Sequence, residues 1–260
     1  MELSFEIMAL LVAVATLAGF IDAMAGGGGL LTVPALLAAG IPPAQALATN
    51  KLQSSFGSFS ASLYFIRSGT VQLKSMWLAI TCTFIGSALG AEAVQFIKPD
   101  VLMSIIPIIL IAISSYFLFS SSVAPQPDEK AKLSDAAFAF LIGTSVGFYD
   151  GFLGPGTGSI FAVCFVAIGR CSLVIATAKT KILNFTSNIA ALAFFILAGL
   201  PIWSLGLMMA VGNFVGARLG AKVVLGNGQK IVRPLVIIMS MTMATKLLWE
   251  QHQQWLLSIF

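Results

Sequence analysis

An apolar stretch near the start of this chain is interrupted by one carboxylate and a glycine cluster, and the same interruption returns half a chain later. Gly19-Phe20-Ile21-Asp22-Ala23-Met24-Ala25-Gly26-Gly27-Gly28-Gly29 reappears as Gly147-Phe148-Tyr149-Asp150-Gly151-Phe152-Leu153-Gly154-Pro155-Gly156-Thr157-Gly158. A helix in lipid gains nothing from a charge or a run of glycines, so their presence at matching places needs a reason. Paired interruptions in corresponding halves are the sequence mark of a midplane ligand site built on broken helices.

Composition identifies lipid as the solvent. Apolar residues make up 58% of the chain and charged residues 9%, against roughly 25% charged in a soluble domain. Apolar runs recur at the length of about 20 residues that a hydrocarbon core of about 30 Å requires. The N-terminus does not read as a secretory signal, because Glu2 and Glu6 stand where a positive n-region belongs. Cys82, Cys164 and Cys171 form no CxxC pair and read as small apolar filler, and His252 is the only histidine. No metal or cofactor is expected from them. The formal charge of +4 is spread rather than clustered, which suits cationic cytoplasmic loops and argues against a nucleic-acid partner.

A linker rich in proline and charge separates the halves: residues 1–121 form a first transmembrane repeat, 122–134 a cytoplasmic linker, and 135–260 a second repeat. The correspondence continues past the glycines. Ala46 to Lys51 resembles Ala176 to Lys181, Gly69 falls opposite Gly199, Gly86 and Gly90 opposite Gly212 and Gly216, and Pro107 near Pro234. The block from Phe5 to Ala39 would reach roughly 50 Å as one helix, and glycine costs about 1 kcal/mol per residue inside a helix. The expected plan is a helix from Phe5 to near Met24, a short helix from Leu30 to Ala39, and a third helix from Ala44 to Ile66. Helices over Lys74 to Ile97 and Val101 to Ser120 complete the half. The second half repeats this from Asp135 to Leu248, with its short helix near Ser159 to Ile168.

Five segments per half, an odd number, invert the second repeat in the membrane. With the N-terminus outside, Arg67, Lys74, Lys130, Lys132, Arg170, Arg218, Lys222, Lys230 and Arg233 fall on inner loops, and the outer loops keep little beyond Lys98. Four crossings per half would scatter these cations over both faces, so the positive-inside rule favours inversion. The fold class is therefore an all-α polytopic membrane protein of two homologous, inverted repeats with broken or short helices at the glycine motifs.

A helix beginning inside the membrane presents free N–H groups and a positive dipole end. Glycine lets a ligand touch those amides, as in anion sites of soluble proteins. Gly27, Gly28 and Gly29, with Gly156, Thr157 and Gly158, are the backbone candidates for an anion. The side-chain candidates are Asn50, Lys51 and Gln53 from the first half and Lys181, Asn184 and Asn188 from the second. Lysine at bilayer depth usually faces a cavity or a partner; the alternative for Lys51, Lys179 and Lys181 is snorkelling to the interface. Asp22 and Asp150 have two roles open: a structural one, accepting from exposed amides or pairing with a lysine, and proton coupling. Gly86, Gly90, Gly212 and Gly216 read as close helix packing. Glu92 and Arg218 read as interfacial or paired charges, and Trp77, Trp203, Trp249 and Trp255 as an aromatic belt.

The run from Gly19 to Gly29, followed by Pro34-Ala35-Leu36 and Ala48-Thr49-Asn50-Lys51-Leu52, resembles the TauE/SafE family of sulfite exporters and 4-toluene sulfonate uptake permeases. The second run, Gly147 to Gly158, is similar to that family's second repeat, and the resemblance covers essentially the whole chain, within the YfcA-type branch. It implies secondary transport of small sulfur-containing anions, such as sulfite, sulfoacetate or other sulfonates, across a bacterial inner membrane. It leaves the particular substrate open, since family members differ. An anion channel and a transporter of another small organic anion remain as alternatives, and homo-oligomerisation stays open. An intramembrane enzyme is disfavoured by the lack of a histidine, paired-carboxylate or nucleophile–base constellation. The absence of a GxxxxGK[ST] motif argues against ATP as the driver.

Overall fold

The structure, a computed structural model, describes residues 4–119 and 131–225. The expected last helix, most of the linker, Pro234, His252, Trp249 and Trp255 lie outside the described residues. Within them the chain is helical and carries no strand. Helix α1 spans Phe5–Ala25, capped by Ser4, whose hydroxyl accepts from the Ile7 amide. It stops at Gly26, which takes a left-handed φ of 80° that only glycine adopts without strain. Helix α2, Gly29–Ala38, starts three residues later and is too short to cross a bilayer. Gly40 and Pro42 turn the chain into α3, Pro43–Arg67, with Pro43 in the first turn, where its missing N–H is harmless.

The expected helix from Lys74 is divided. A 3₁₀ turn occupies Leu73–Ser75 before α4, Trp77–Gln95, and α5 covers Pro99–Phe119. The second half opens with α6, Asp135–Phe138, a π-helical turn, Ala139–Gly143, and α7, Thr144–Phe152, in one continuous run. The π turn has no counterpart in α1. Helix α8, Thr157–Ala167, is short like α2, and α9, Leu173–Leu197, and α10, Trp203–Val224, are long. Among the described residues, four helices, α1, α4, α9 and α10, are long and apolar enough to span a membrane. Helix α3 matches them in length, but Asn50, Lys51, Gln53 and five serines between 54 and 62 make it polar. It is instead buried among α10, α9, α2 and α1.

The two halves interlock. Helix α1 packs chiefly on α10 of the other half and α7 chiefly on α4, while α3 and α9 meet in the middle. Glycines allow these close approaches. A side chain at Gly86 or Gly90 would strike the Thr144 or Phe148 carbonyl, and one at Gly216 or Gly220 would strike that of Thr16 or Phe20. These contacts correct the expected pairing of the glycines by one helical turn. Gly86 matches Gly216 and Gly90 matches Gly220, the same separation that carries Lys51 to Lys181 and Gly69 to Gly199. Gly212 still lies at the α1 contact, against Thr16 and Val12. By the same separation Glu92 falls opposite Lys222 and not Arg218. The Arg218 guanidinium sits 4.9 Å over the Tyr64 ring instead. Trp77 and Trp203 open α4 and α10 and are exposed.

Candidate functional site

The two breaks meet. Gly26 lies against the backbone of Gly158, and the Ser159 amide donates to the Gly26 carbonyl at 3.2 Å. The Ser159 hydroxyl also donates to the Ala25 carbonyl. Neither α2 nor α8 has a side-chain N-cap. The Leu30 and Leu31 amides donate to the Gly27 and Gly28 carbonyls, the Thr157 amide to that of Gly154, and the Gly28 N–H to Asp22 Oδ1 at 3.2 Å. This leaves the Gly29 and Gly158 amides at the helix starts for the space between the breaks.

That space is a narrow cavity of about 30 Å³. It brings together Gly28, Gly29, Asn50, Lys51, Gly156, Thr157, Gly158, Asn184, Asn188, Asp22 and Asp150 from the sequence-derived candidates. Three candidates stand outside it. Gly27 is buried without lining it, Gln53 lies behind Asn50, and Lys181 turns to Asp22. Gly26, Gly154, Ser54 and Asn213 line it as well. Gly154 was visible in the motif, and Ser54 in the polar run after Lys51. Asn213 had one signal only, as a lone amide within the apolar helix α10.

Neither site lysine snorkels. Lys51 and Lys181 are both 1% exposed. Lys51 Nζ lies 2.8 Å from Asp150 Oδ1, and Lys181 Nζ lies 2.9 Å from Asp22 Oδ2. Lys181 also donates to the Asp22 carbonyl, and Ser187 donates to Asp150 Oδ2. Each pair joins the third helix of one half to the broken first helix of the other, so the pairs are reciprocal. Lys179 points elsewhere, 3.6 Å from Cys171 Sγ and over the Phe165 ring.

The amides are oriented by their neighbours. Asn50 Oδ1 accepts from Thr32 Oγ1 at 2.6 Å and from Gln53 Nε2 at 2.8 Å. Asn213 Nδ2 in turn donates to Gln53 Oε1. With its oxygen occupied, Asn50 leaves its N–H₂ group beside Gly29 and the cavity. Asn188 Nδ2 reaches Ser58 Oγ at 3.4 Å across the two central helices. Asn184 Oδ1 is buried and has no partner among the described residues, and buried polar atoms are rarely left so. Replacing Asn213 with Leu should leave Gln53 Oε1 buried without a donor, at about 1–3 kcal/mol. Thermal unfolding in detergent would show the loss as a lowered midpoint.

A family model described as Sulfite exporter TauE/SafE matches residues 11–247. The "Probable membrane transporter protein YfcA" of Escherichia coli (strain K12) is 51% identical over 241 residues, 93% of this chain and 89% of its own. A "Probable membrane transporter protein" of Haemophilus influenzae is 45% identical over 251 residues, covering 96% of this chain and 98% of that one. "Probable membrane transporter protein YunE" of Bacillus subtilis is 24% identical over 254 residues, 88% and 92% of the two chains. No solved structure matches the chain.

Proposed function

We propose that this protein, which belongs to the TauE/SafE family of membrane transporters, carries small sulfur-containing anions by alternating access around the cavity between its two breaks. The observation that carries this reading is the convergence of Lys51, the Asn50 amide and the uncapped starts of α2 and α8 on one space. Donors directed into a water-poor site suit the oxygens of a sulfonate or sulfite. Inverted repeats support the mechanism, since the reciprocal lysine–aspartate pairs give two related arrangements of the same parts. The cavity's narrowness fits occlusion between two access states better than a continuous pore.

Asp22 and Asp150 face the same space. An anion that takes a place at Lys51 competes with Asp150, and a proton on one of these carboxylates restores charge balance. This supports coupling to protons, in a bacterial inner membrane with the N-terminus periplasmic and the linker cytoplasmic. The matching family is described as a sulfite exporter family, which favours sulfur anions over other small organic acids. The test is flux of sulfite, sulfate, sulfoacetate, taurine and acetate into proteoliposomes, with and without a pH gradient. Saturable uptake of one sulfur anion, accelerated by an inward proton gradient, is expected. Uptake of acetate alone would replace the substrate class, and flux without saturation would favour a channel.

A further inference from the structure

We infer that the substrate-free carrier compensates its own charges, with Asp150 holding the anion's place at Lys51, so that the protein supports net flux and is not confined to one-for-one exchange. The inference deepens the anion-carrier reading and rests on it. A carrier gives net flux only if its empty form can pass between its two access states. An uncompensated charge at the middle of a membrane protein strongly disfavours any state that buries it. Had the site held bare lysines, the empty form would be trapped, and only the loaded form would cross.

The geometry removes that trap. Lys51 and Asp150 are 2.8 Å apart, with side chains 2% and 5% exposed, and Ser187 occupies the second oxygen of Asp150. Lys181 and Asp22 form the second pair, and Gly28 N–H occupies the second oxygen of Asp22. Two cations and two carboxylates therefore balance within the empty site. Lys51, Asp150 and Asp22 border the cavity, so the carboxylate that neutralises Lys51 lies where an incoming anion would displace it. The displaced carboxylate stays tethered and returns when the anion leaves.

The test compares two efflux modes in proteoliposomes loaded with radiolabelled sulfite. One is diluted into anion-free buffer and the other into buffer containing unlabelled sulfite, at equal pH and with the membrane potential clamped. For the wild-type protein, efflux into anion-free buffer should run within about threefold of exchange. Asp150→Asn, which leaves Lys51 unpaired in the empty form, should depress net efflux roughly a hundredfold more than it depresses exchange. Wild-type efflux that needs sulfite on both sides overturns the inference without any variant. An Asp150→Asn protein that is folded by circular dichroism and reconstitutes like the wild type, yet loses both modes in the same proportion, also overturns it. No sulfite movement by the wild type in either mode overturns the sulfite reading, and this inference falls with it.

Discussion

Lys51→Ala is expected both to destabilise the protein and to abolish tight anion binding, and the two losses can be separated. Lys51 is buried on α3 and is the ion-pair partner of Asp150. Removing one member of a buried pair leaves the other charge uncompensated, a cost of about 3–5 kcal/mol. The Ser187 hydroxyl cannot replace an ammonium. The single variant should therefore unfold well below the wild type in detergent, and a low anion affinity alone would say little. The double variant Lys51→Met, Asp150→Leu removes both charges and fills their space, a change often close to neutral in stability. It should recover the wild-type unfolding midpoint, whereas sulfite should no longer raise that midpoint, because a ligand stabilises only the fold that binds it. Wild-type stabilisation by sulfite in the double variant would remove Lys51 from the site.

Gly26→Ala should be among the most damaging single-methyl changes at the described residues, because it combines backbone strain with a backbone clash. Gly26 has φ of 80°, where an alanine costs about 1–2 kcal/mol. Its new methyl would also land on the backbone of Gly158 and Ser159. Backbone cannot rotate aside as a side chain does, so the two breaks must separate. That takes with it the Ser159 amide bond to the Gly26 carbonyl. Together these should cost about 3–5 kcal/mol, in the range reserved for strained or overpacked positions. Gly69→Ala is the control: its φ is 73°, but no atom lies within 4 Å of the added methyl. The control should show only the conformational cost. Equal losses in the two variants, read by thermal unfolding, would mean that the contact between the breaks contributes nothing.

Much of this arrangement was legible because local chemistry decides it. The glycines after Met24 end α1 one residue beyond the expected point, and α2 begins at Gly29 rather than Leu30. Gly40, Pro42 and Pro43 set the start of α3 one residue early. Proline and glycine constrain φ directly, so their effects do not depend on the rest of the fold. The candidate cavity was legible for the related reason that a polar group in an apolar helix requires a partner.

What was not legible is tertiary. Sequence spacing placed Gly86 opposite Gly212, and only the helix contacts reveal the one-turn slip to Gly216. On a helix, a shift of about one turn returns nearly the same face, so spacing alone cannot choose. Gln53 and Asn50 lie on one polar helix, yet only Asn50 reaches the cavity, because Asn213 from a distant helix holds Gln53 behind it. Which lysine answers which aspartate was likewise hidden, since each bond crosses between halves. The π turn before α7 carries no sequence signal that distinguishes it from the start of α1.

The central claim is that one site, between the two breaks, opens alternately to either side of the membrane. Ser54 lines that cavity, and the chain's described thiols are all free, so Cys82, Cys164 and Cys171 can be replaced and a single cysteine introduced by Ser54→Cys. The decisive measurement is the rate at which a membrane-impermeant, sulfonate-bearing thiol reagent labels this cysteine from each face of oriented vesicles, with and without sulfite. The account predicts labelling from both faces, slowed by sulfite on either one. Labelling from one face only, or labelling indifferent to sulfite, would contradict it.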